Sequence, residues 1–567
     1  MRLSIVIPTY RRRRTLERTF PTVAGQDLPN LEIIVVVDGS TDGSSEYLRG
    51  FNGVRVIEQS NQGPAAARNA GVAAASGDVV LFLDDDMVCP SDLARKHLEA
   101  HEACHERIVF CGPVWVSDES PKGPAAELTR RATLEGYQEL EAGSPMRWPS
   151  HTIVDANSSV RKSLFLESGG FDPTYRRSET NELGFRLYRS EVRFEYLKDA
   201  AACQIFDKDS DQRCKDAALH ARYEIKLAES FPQYRRFCAL ASLGSGTRRR
   251  RFARRALASL SPAILKLFSK VCSVHPGIGL RALQLREAAA MWRAAREEAG
   301  GWDELNRRFG KTVSVLLYHH VGPLSPGNNA GMSIPAAMFE RQVQWLAKHN
   351  WTPITTKQWV GWVHGENTLP EKPVILTFDD ALEDLTKYAF PVLRRHGFPG
   401  VCFVVTGKLG QLNDWAGDRT GHDRLMTISD VREWANAGIE FGAHTRTHPD
   451  LRTLDGEALN AEVAGSKRDL EEILGAKIHS FAYTYGDYDE ASTKCAQRHF
   501  DCSFTCDEGL NTLSTEPHLL RRTMMSPFDW STDLRLRLTC GRSRFIESRS
   551  RFRIRTRLRK LFGVKER

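Results

Sequence analysis

Residues 79–87 read VVLFLDDDM, and the reading of this stretch decides the fold of the first part of the chain. Five apolar residues follow the turn-like Ser76-Gly77-Asp78 and run directly into Asp84, Asp85 and Asp86. An apolar run of that length after a turn predicts a buried strand. Acids packed at the end of a buried strand repel one another, and each has a raised pKa unless a cation sits there. Asp84 and Asp86 straddle Asp85. Hard oxygen ligands of this kind suit Mg²⁺ or Mn²⁺, ions that usually bridge to substrate phosphates. A lone Asp-x-Asp also occurs in solvated acidic loops, so its surroundings must decide.

Outward from this strand the pattern repeats. LSIVIPTY, LEIIVVVDGS and VRVIEQS are short β-branched runs ended by turn residues, and PAAARNAGVAAASG before the acidic strand is helical. Strands alternating with helices predict a mainly parallel α/β sheet over residues 1–200. Ligands of such sheets lie at the carboxyl ends of the strands, so the polar residues of PTY, DGSTD and DDD are expected to share one crevice.

This region resembles the family 2 glycosyltransferases of the GT-A fold. SIVIPTYRR, VVVDGSTDGS, NQGPAAARNAGVAAASGDVVLFLDDDMVCP and GGFD follow that family's landmarks in order. The resemblance implies a Rossmann-like domain and inverting transfer from a nucleotide sugar. Carried over residue by residue, it implies that Pro8, Thr9 and Asp38 hold the nucleoside. Asp84 and Asp86 then hold the metal that bridges the diphosphate, a Lewis acid for the departing group. Two positions depart from the family. Val37 replaces the first of two acids at the nucleoside turn. The Glu-Asp that supplies the catalytic base appears as SETNELGFRL, where Glu179 is followed by Thr180. Glu179 is the expected base and Glu182 the alternative; both would otherwise be helix-surface charges.

A second set of strands begins near Lys311: VSVLLYHHV, PVILTFDDA, GVCFVVTG, GIEFGAHTRTH and IHSFAYTYG, separated by helical stretches. This is again α/β, and a barrel fits. LTFDDALED puts Asp379 and Asp380 at a strand end, and HTRTH puts His444 and His448 four apart, a spacing that can place both on one helical face. One Asp with two His is a catalytic zinc set with room for water, and the neighbouring Asp is then the base.

Residues ~312 to ~535 resemble the polysaccharide deacetylases of carbohydrate esterase family 4, with their NodB-type distorted (β/α) barrel. TFDD, HTRTH and FAYTYGDY fall in the family's order, and LLYHHV looks like the branch acting on poly-N-acetylglucosamine. The resemblance implies Asp379 as general base and Asp380, His444 and His448 as ligands of Zn²⁺ or another divalent transition metal. Water attacks the acetamide carbonyl, and the backbone N–H of Tyr485 meets the oxyanion. The family's late Leu-x-His is absent from HLLRRTMM. The early histidine, His319, is therefore the expected general acid, with His518 as fallback and His320 as a packing residue. Thr484 stands where the family has Pro.

Length predicts two to four domains. The expected boundaries are 1–235 for the transferase, 236–310 for a helical basic linker, 311–540 for the deacetylase and 541–567 for a basic tail. In the linker, SPAILKLFSKV has Ser261 as N-cap and Pro262 at the first helical position. Leu257, Leu260, Ile264, Phe268 and Val271 keep helical spacing; core packing is the first reading and an anionic membrane surface the second. The N-terminal apolar run is too short for a signal peptide or span. No stretch approaches the ~18 apolar residues that a span needs, so a cytoplasmic protein is expected. Twelve scattered cysteines without a CxxC pair predict reduced thiols. The net charge of +8 is that of the tail: residues 542–567 carry eleven Lys or Arg and two Glu, leaving the remainder near neutral. The tail predicts a disordered arm or a tether to the inner face of an anionic membrane. No nucleic-acid motif accompanies it, so nucleic acid is not an expected partner.

Together these readings predict a bifunctional enzyme of glycan synthesis. One domain adds a sugar, with UDP-N-acetylglucosamine as expected donor, to a glycan, glycolipid or small-molecule acceptor, and the other removes its N-acetyl group. Two rival readings keep one activity each: a deacetylase whose N-terminal domain only binds sugar nucleotide or glycan, or a transferase whose esterase-like domain only binds N-acetylated glycan.

Overall fold

The computed structural model describes residues 1–542 except 105, 144–145, 147–155, 246–247, 274, 324–331, 416–422 and 527–530; the expected tail from 543 onward lies outside them. The chain divides into two compact units, residues 1–230 with 252–302 and residues 231–251 with 303 onward, so the expected linker is shared between them.

In the first unit, strands β1 (Leu3–Thr9), β2 (Glu32–Asp38), β3 (Val54–Gln59), β4 (Val79–Leu83), β5 (Ile108–Cys111), β6 (Asn157–Arg161) and β7 (Arg193–Tyr196) form one sheet in the order β3-β2-β1-β4-β6-β5-β7. The pairs β1–β2, β1–β4 and β2–β3 are parallel, and β6 runs antiparallel to both neighbours. Alternate residues feed two cores: Ile5, Ile7, Val35 and Leu81 one face, Val6, Ile34, Val36 and Phe82 the other. A sheet covered on both faces explains the unbroken apolar runs. The helix Pro64–Ala74 lies against β1 and β2 through Gly71, where a Cβ would sit 2.4 Å from Val6 Cγ1.

The helix Pro262–Cys272 begins where its sequence signals put it, with Ser261 as N-cap, although the Ser261 side chain makes no capping bond. Its expected core face is a correction. Leu265 is buried, whereas Leu260, Ile264, Phe268 and Val271 are 43%, 59%, 49% and 65% exposed. Helical spacing identifies an apolar stripe but not what covers it.

In the second unit, β8 (Ser314–Tyr318), β9 (Pro373–Phe378), β10 (Val401–Val404), β11 (Glu440–Ala443), β12 (Ser480–Ala482), β13 (Cys502–Phe504) and β14 (Thr523–Met524) make a curled, all-parallel sheet in the order β13-β12-β11-β10-β9-β8-β14, with Thr352–Pro353 added beside β9. The segment entering β14 closes the curl. Met524 pairs with Leu317 on one side, and Leu520 bridges to Phe504 on the other. One core, including Leu316, Phe378, Val404, Ala443 and Phe481, fills this unit.

Among the described residues no helix is long and apolar enough to cross a membrane. None of the twelve cysteines, all among the described residues, forms a disulfide.

Buried polar groups also brace the first sheet. His97 Nδ1 meets Ser159 Oγ at 2.8 Å and its Nε2 meets Asn157 Oδ1 at 3.0 Å. Burial pushes His97 and His101 down to about 4, from 6.5. The unfolded chain takes up protons that the folded one refuses. This stability is therefore complete above the ordinary value and lost as pH falls through it towards 4. Each histidine is expected to cost the first unit about 2 kcal/mol at pH 5. In calorimetry, His97→Gln should flatten the fall in melting temperature between pH 7 and 5. An unchanged slope would show that His97 does not cause it.

Candidate active sites

The expected crevice exists at the carboxyl ends of β1, β2 and β4, and the cations at the acidic strand end are two arginines that the motif reading passed over. Arg12, next to Arg11 at φ 54°, places Nε 3.3 Å from Asp85, Nη2 3.1 Å from Asp86 and Nη1 2.8 Å from Asp207. Arg68, 4% exposed on an alanine-rich helix, donates to Asp84 at 2.8 Å and to Glu179 at 3.0 Å. Thr9 donates to Asp85 at 2.7 Å, and Gln204 to Asp86 at 3.1 Å. Five carboxylates thus face two guanidiniums. Burial pushes Asp85 up to about 6 despite Arg12. Burial, then the neighbouring charges of Asp84 and Asp85, push Asp86 up to about 7. This oxygen-rich, charge-deficient donor set fits a hard divalent cation at Asp84 and Asp86.

The remaining sequence candidates separate by their partners. Asp38 is buried and accepts from the backbone N–H of Gln62 and Gly63 at 2.9 and 2.8 Å, fixing the turn that starts the next helix. Pro8 lies half-buried in β1, beside Thr9. Glu179 opens the helix Glu179–Arg189, after Ser178 in a left-handed conformation at φ 62°. Glu182 instead accepts from Arg186 at 2.5 and 2.7 Å, while Arg186 also donates to the carbonyl of Gly170. Glu182 is thereby committed to holding the Gly169-Gly170 turn.

In the second unit Asp380, His444 and His448 converge; among the described residues they are the one group of three such side chains with ligand atoms within 4.8 Å of one another. Asp380 Oδ1 lies 3.6 Å from His444 Nε2 and 3.5 Å from His448 Nε2, and it is buried without a hydrogen-bond partner. His444 Nδ1 donates to the Ala482 carbonyl at 2.8 Å, which leaves Nε2 as the free lone pair. An orphaned carboxylate oxygen facing two imidazole nitrogens fits a divalent transition metal. The two histidines do not share a helical face: HTRTH is a loop after β11, with Thr445 at φ 67° and His448 at φ 64°. Asp380, Ala381 and Tyr485 are also left-handed, so strained backbone concentrates here. Trp415 stacks on His448 at 4.5 Å, and the Tyr485 ring meets it edge-on at 4.6 Å.

Asp379 is held by Arg522, whose guanidinium donates to both carboxylate oxygens at 2.7 and 2.9 Å and to the Thr505 carbonyl at 2.8 Å. Burial alone would raise Asp379, but Arg522 and the nearby histidines hold it below the ordinary carboxylate value. Burial and then the charge of Asp379 push Asp380 up to about 7. His319 is half-buried, and desolvation pushes it down to about 4, with Asp379 acting in the opposite direction. His320 is not a simple packing residue: it lies 3.1 Å from Asp384 and 3.3 Å from Asp423. His518 belongs elsewhere, against Ser503 at 3.2 Å and near Arg236 and Asp501. The Thr484 hydroxyl donates to the Pro449 carbonyl.

Comparisons with known proteins agree with the two units. Residues 4–168 match the family model described as Glycosyl transferase family 2, and residues 366–499 match Polysaccharide deacetylase. The chain therefore joins a family 2 glycosyltransferase domain to a polysaccharide deacetylase domain. Glu179, His319 and Arg522 lie outside the matched segments. Among curated relatives, YxkH of Bacillus subtilis (strain 168), provisionally named a polysaccharide deacetylase, is 26% identical over 38% of this chain and 72% of its own. The validoxylamine A glucosyltransferase of Streptomyces hygroscopicus subsp. jinggangensis (strain 5008) is 31% identical over 33% of this chain and about half, 51%, of its own. The solved structure of the Streptococcus pyogenes deacetylase PplD in complex with acetate is 22% identical, covers 38% of this chain and 94% of that one, and has a TM-score of 0.35.

The buried pair yields a prediction. Arg522→Met leaves Asp379 as an uncompensated buried charge, expected to cost about 3–5 kcal/mol. Thermal unfolding of the second unit should shift down accordingly, and Asp379→Asn added to Arg522→Met should restore part of the loss. A single variant as stable as the wild type would show that the pair contributes nothing.

Proposed function

We propose that this chain is a bifunctional enzyme of glycan assembly: its first unit transfers an N-acetylhexosamine from a nucleotide sugar, and its second removes the N-acetyl group. The observation that carries the reading is the convergence of Asp380, His444 and His448 beside an Arg522-bound Asp379, joined in one chain to a second acidic crevice of transferase type.

In the first unit Pro8, Thr9 and Asp38 line the nucleoside end. Asp84 and Asp86 would hold Mg²⁺ or Mn²⁺, which supplies charge for the leaving diphosphate. Glu179 takes the proton of the acceptor hydroxyl as the acceptor oxygen bonds to the sugar's anomeric carbon and the bond to the diphosphate breaks, with inversion. Arg68, shared between Asp84 and Glu179, holds the base aimed at the same crevice. UDP-N-acetylglucosamine is the donor that would make the two reactions consecutive.

In the second unit Asp380, His444 and His448 would hold Zn²⁺ or a related ion, which polarises the acetamide carbonyl. Asp379 removes a proton from the attacking water. Its depressed pKa keeps it ionised for that task. His319, neutral near pH 7, serves as acid to the leaving amine once it has taken up a proton; the adjacent Asp379 charge stabilises the imidazolium. The Tyr485 backbone N–H is assigned to the oxyanion. A cytoplasmic site of action follows from the nucleotide-sugar donor.

Purified protein with UDP-N-acetylglucosamine, Mn²⁺ and Zn²⁺ is expected to release both UDP and acetate from a panel of glycan, glycolipid and small-molecule acceptors. Asp84→Ala should lower UDP release by at least about a hundredfold, and Asp379→Asn or His319→Asn should do the same for acetate alone. Acetate from chitin-like oligomers without any UDP would reduce the first unit to a binding module. Acetate release unaffected by His319→Asn but lost with His518→Asn would overturn the assignment of the acid. Zn²⁺ titration calorimetry should show affinity falling at least about tenfold in His444→Ala; unchanged affinity would remove the metal from this site.

A further inference from the structure

One surface of the first unit serves neither reaction. On the helix Pro262–Cys272, Leu265 and Ser269 turn inward. Ile264, Leu267, Phe268 and Val271, spaced i, i+3, i+4 and i+7 on one face, are 59%, 65%, 49% and 65% exposed. Single exposed apolar residues are ordinary, but four on one helical face mark an interaction surface. The neighbouring helix, Pro276–Glu298, exposes Ile278 and Leu285 as well.

The charge around this face selects the partner. Residues 252–286, all within the first unit, contain six Arg or Lys and no Asp or Glu. Arg255, Lys266, Lys270 and Arg281 are exposed, with Lys266 reaching Asp211. An apolar stripe bordered by cations matches the boundary of an anionic bilayer, where acyl chains receive the stripe and headgroup phosphates receive the long basic side chains. A second copy of the chain fits badly, because it would bring two cationic rims together.

We propose that the helix Pro262–Cys272 docks the first unit on an anionic membrane surface, with Ile264, Leu267, Phe268 and Val271 entering the acyl boundary and Lys270, Arg255 and Arg281 meeting headgroups. Docking is interfacial, not spanning: the helix has 11 residues, about half of what a span requires.

The test is flotation of the full-length chain with phosphatidylcholine vesicles, with and without phosphatidylglycerol. It compares the wild type with Leu267→Glu/Phe268→Glu and with the milder Ile264→Ser/Val271→Ser. The wild type is expected to float with the anionic vesicles and much less with the neutral ones. Both double variants should lose at least about fivefold of the bound fraction with unchanged melting temperature, because all four side chains already face water. All three proteins keep the basic tail, so equal binding would assign the contact to the tail and overturn the proposal. A wild type that ignores anionic vesicles would overturn it as well. So would a wild-type dimer in size-exclusion chromatography that the variants dissociate, since the face would then join two copies.

Discussion

The second unit depends on one buried ion pair. Asp379 and Arg522 lie at the centre of the curled sheet, essentially out of water, with both carboxylate oxygens taken by one guanidinium. Removing either partner leaves the other charged in a medium that cannot solvate it. Arg522 sits between Leu520, which bridges to Phe504, and Thr523–Met524, which pair with Leu316–Leu317. The same side chain therefore belongs to the segment that closes the sheet and sets the ionisation of the proposed base. Closing the fold and preparing the site are one event, and the strained loops carrying Asp380, His448 and Tyr485 are held on the scaffold it completes.

The first unit solves the same problem with two cations. Parallel strands end together, so acids at their carboxyl ends meet at low dielectric. Arg12 gathers Asp85, Asp86 and Asp207, and Arg68 spans Asp84 and Glu179. Burial raises Asp85 and Asp86, and the two arginines do not offset it. A site built in this way favours a ligand that brings cation and diphosphate together.

Asp84–Asp86, Asp379–Asp380, His319 and His444 were legible in the sequence because each follows an apolar run, and a buried strand end has few ways to accommodate a charge. Both α/β sheets were legible for the same reason. Their arginine partners were not. Arg522 is 143 positions from Asp379 and Arg12 is 73 from Asp85, and nothing local marks which Arg of the RRRR run turns inward. Arg68 did leave a signal, a lone charge in an alanine-rich helix, since a buried Arg requires a partner. HTRTH was legible as a pair but not as a loop, because a spacing of four is reached by a left-handed turn as readily as by a helix. The stripe on Pro262–Cys272 was legible as amphipathic; whether a core or another surface covers it is decided by the neighbouring helices.

The central claim, that the two units act in succession on one sugar, is tested most directly by the mass of the product. An acceptor incubated with UDP-N-acetylglucosamine and the wild-type protein is predicted to gain a hexosamine with a free amine, and with Asp379→Asn to gain the N-acetylated sugar instead. An acceptor that keeps the N-acetyl group with the wild type, or gains no sugar with any acceptor class while acetate is still released, would contradict the account.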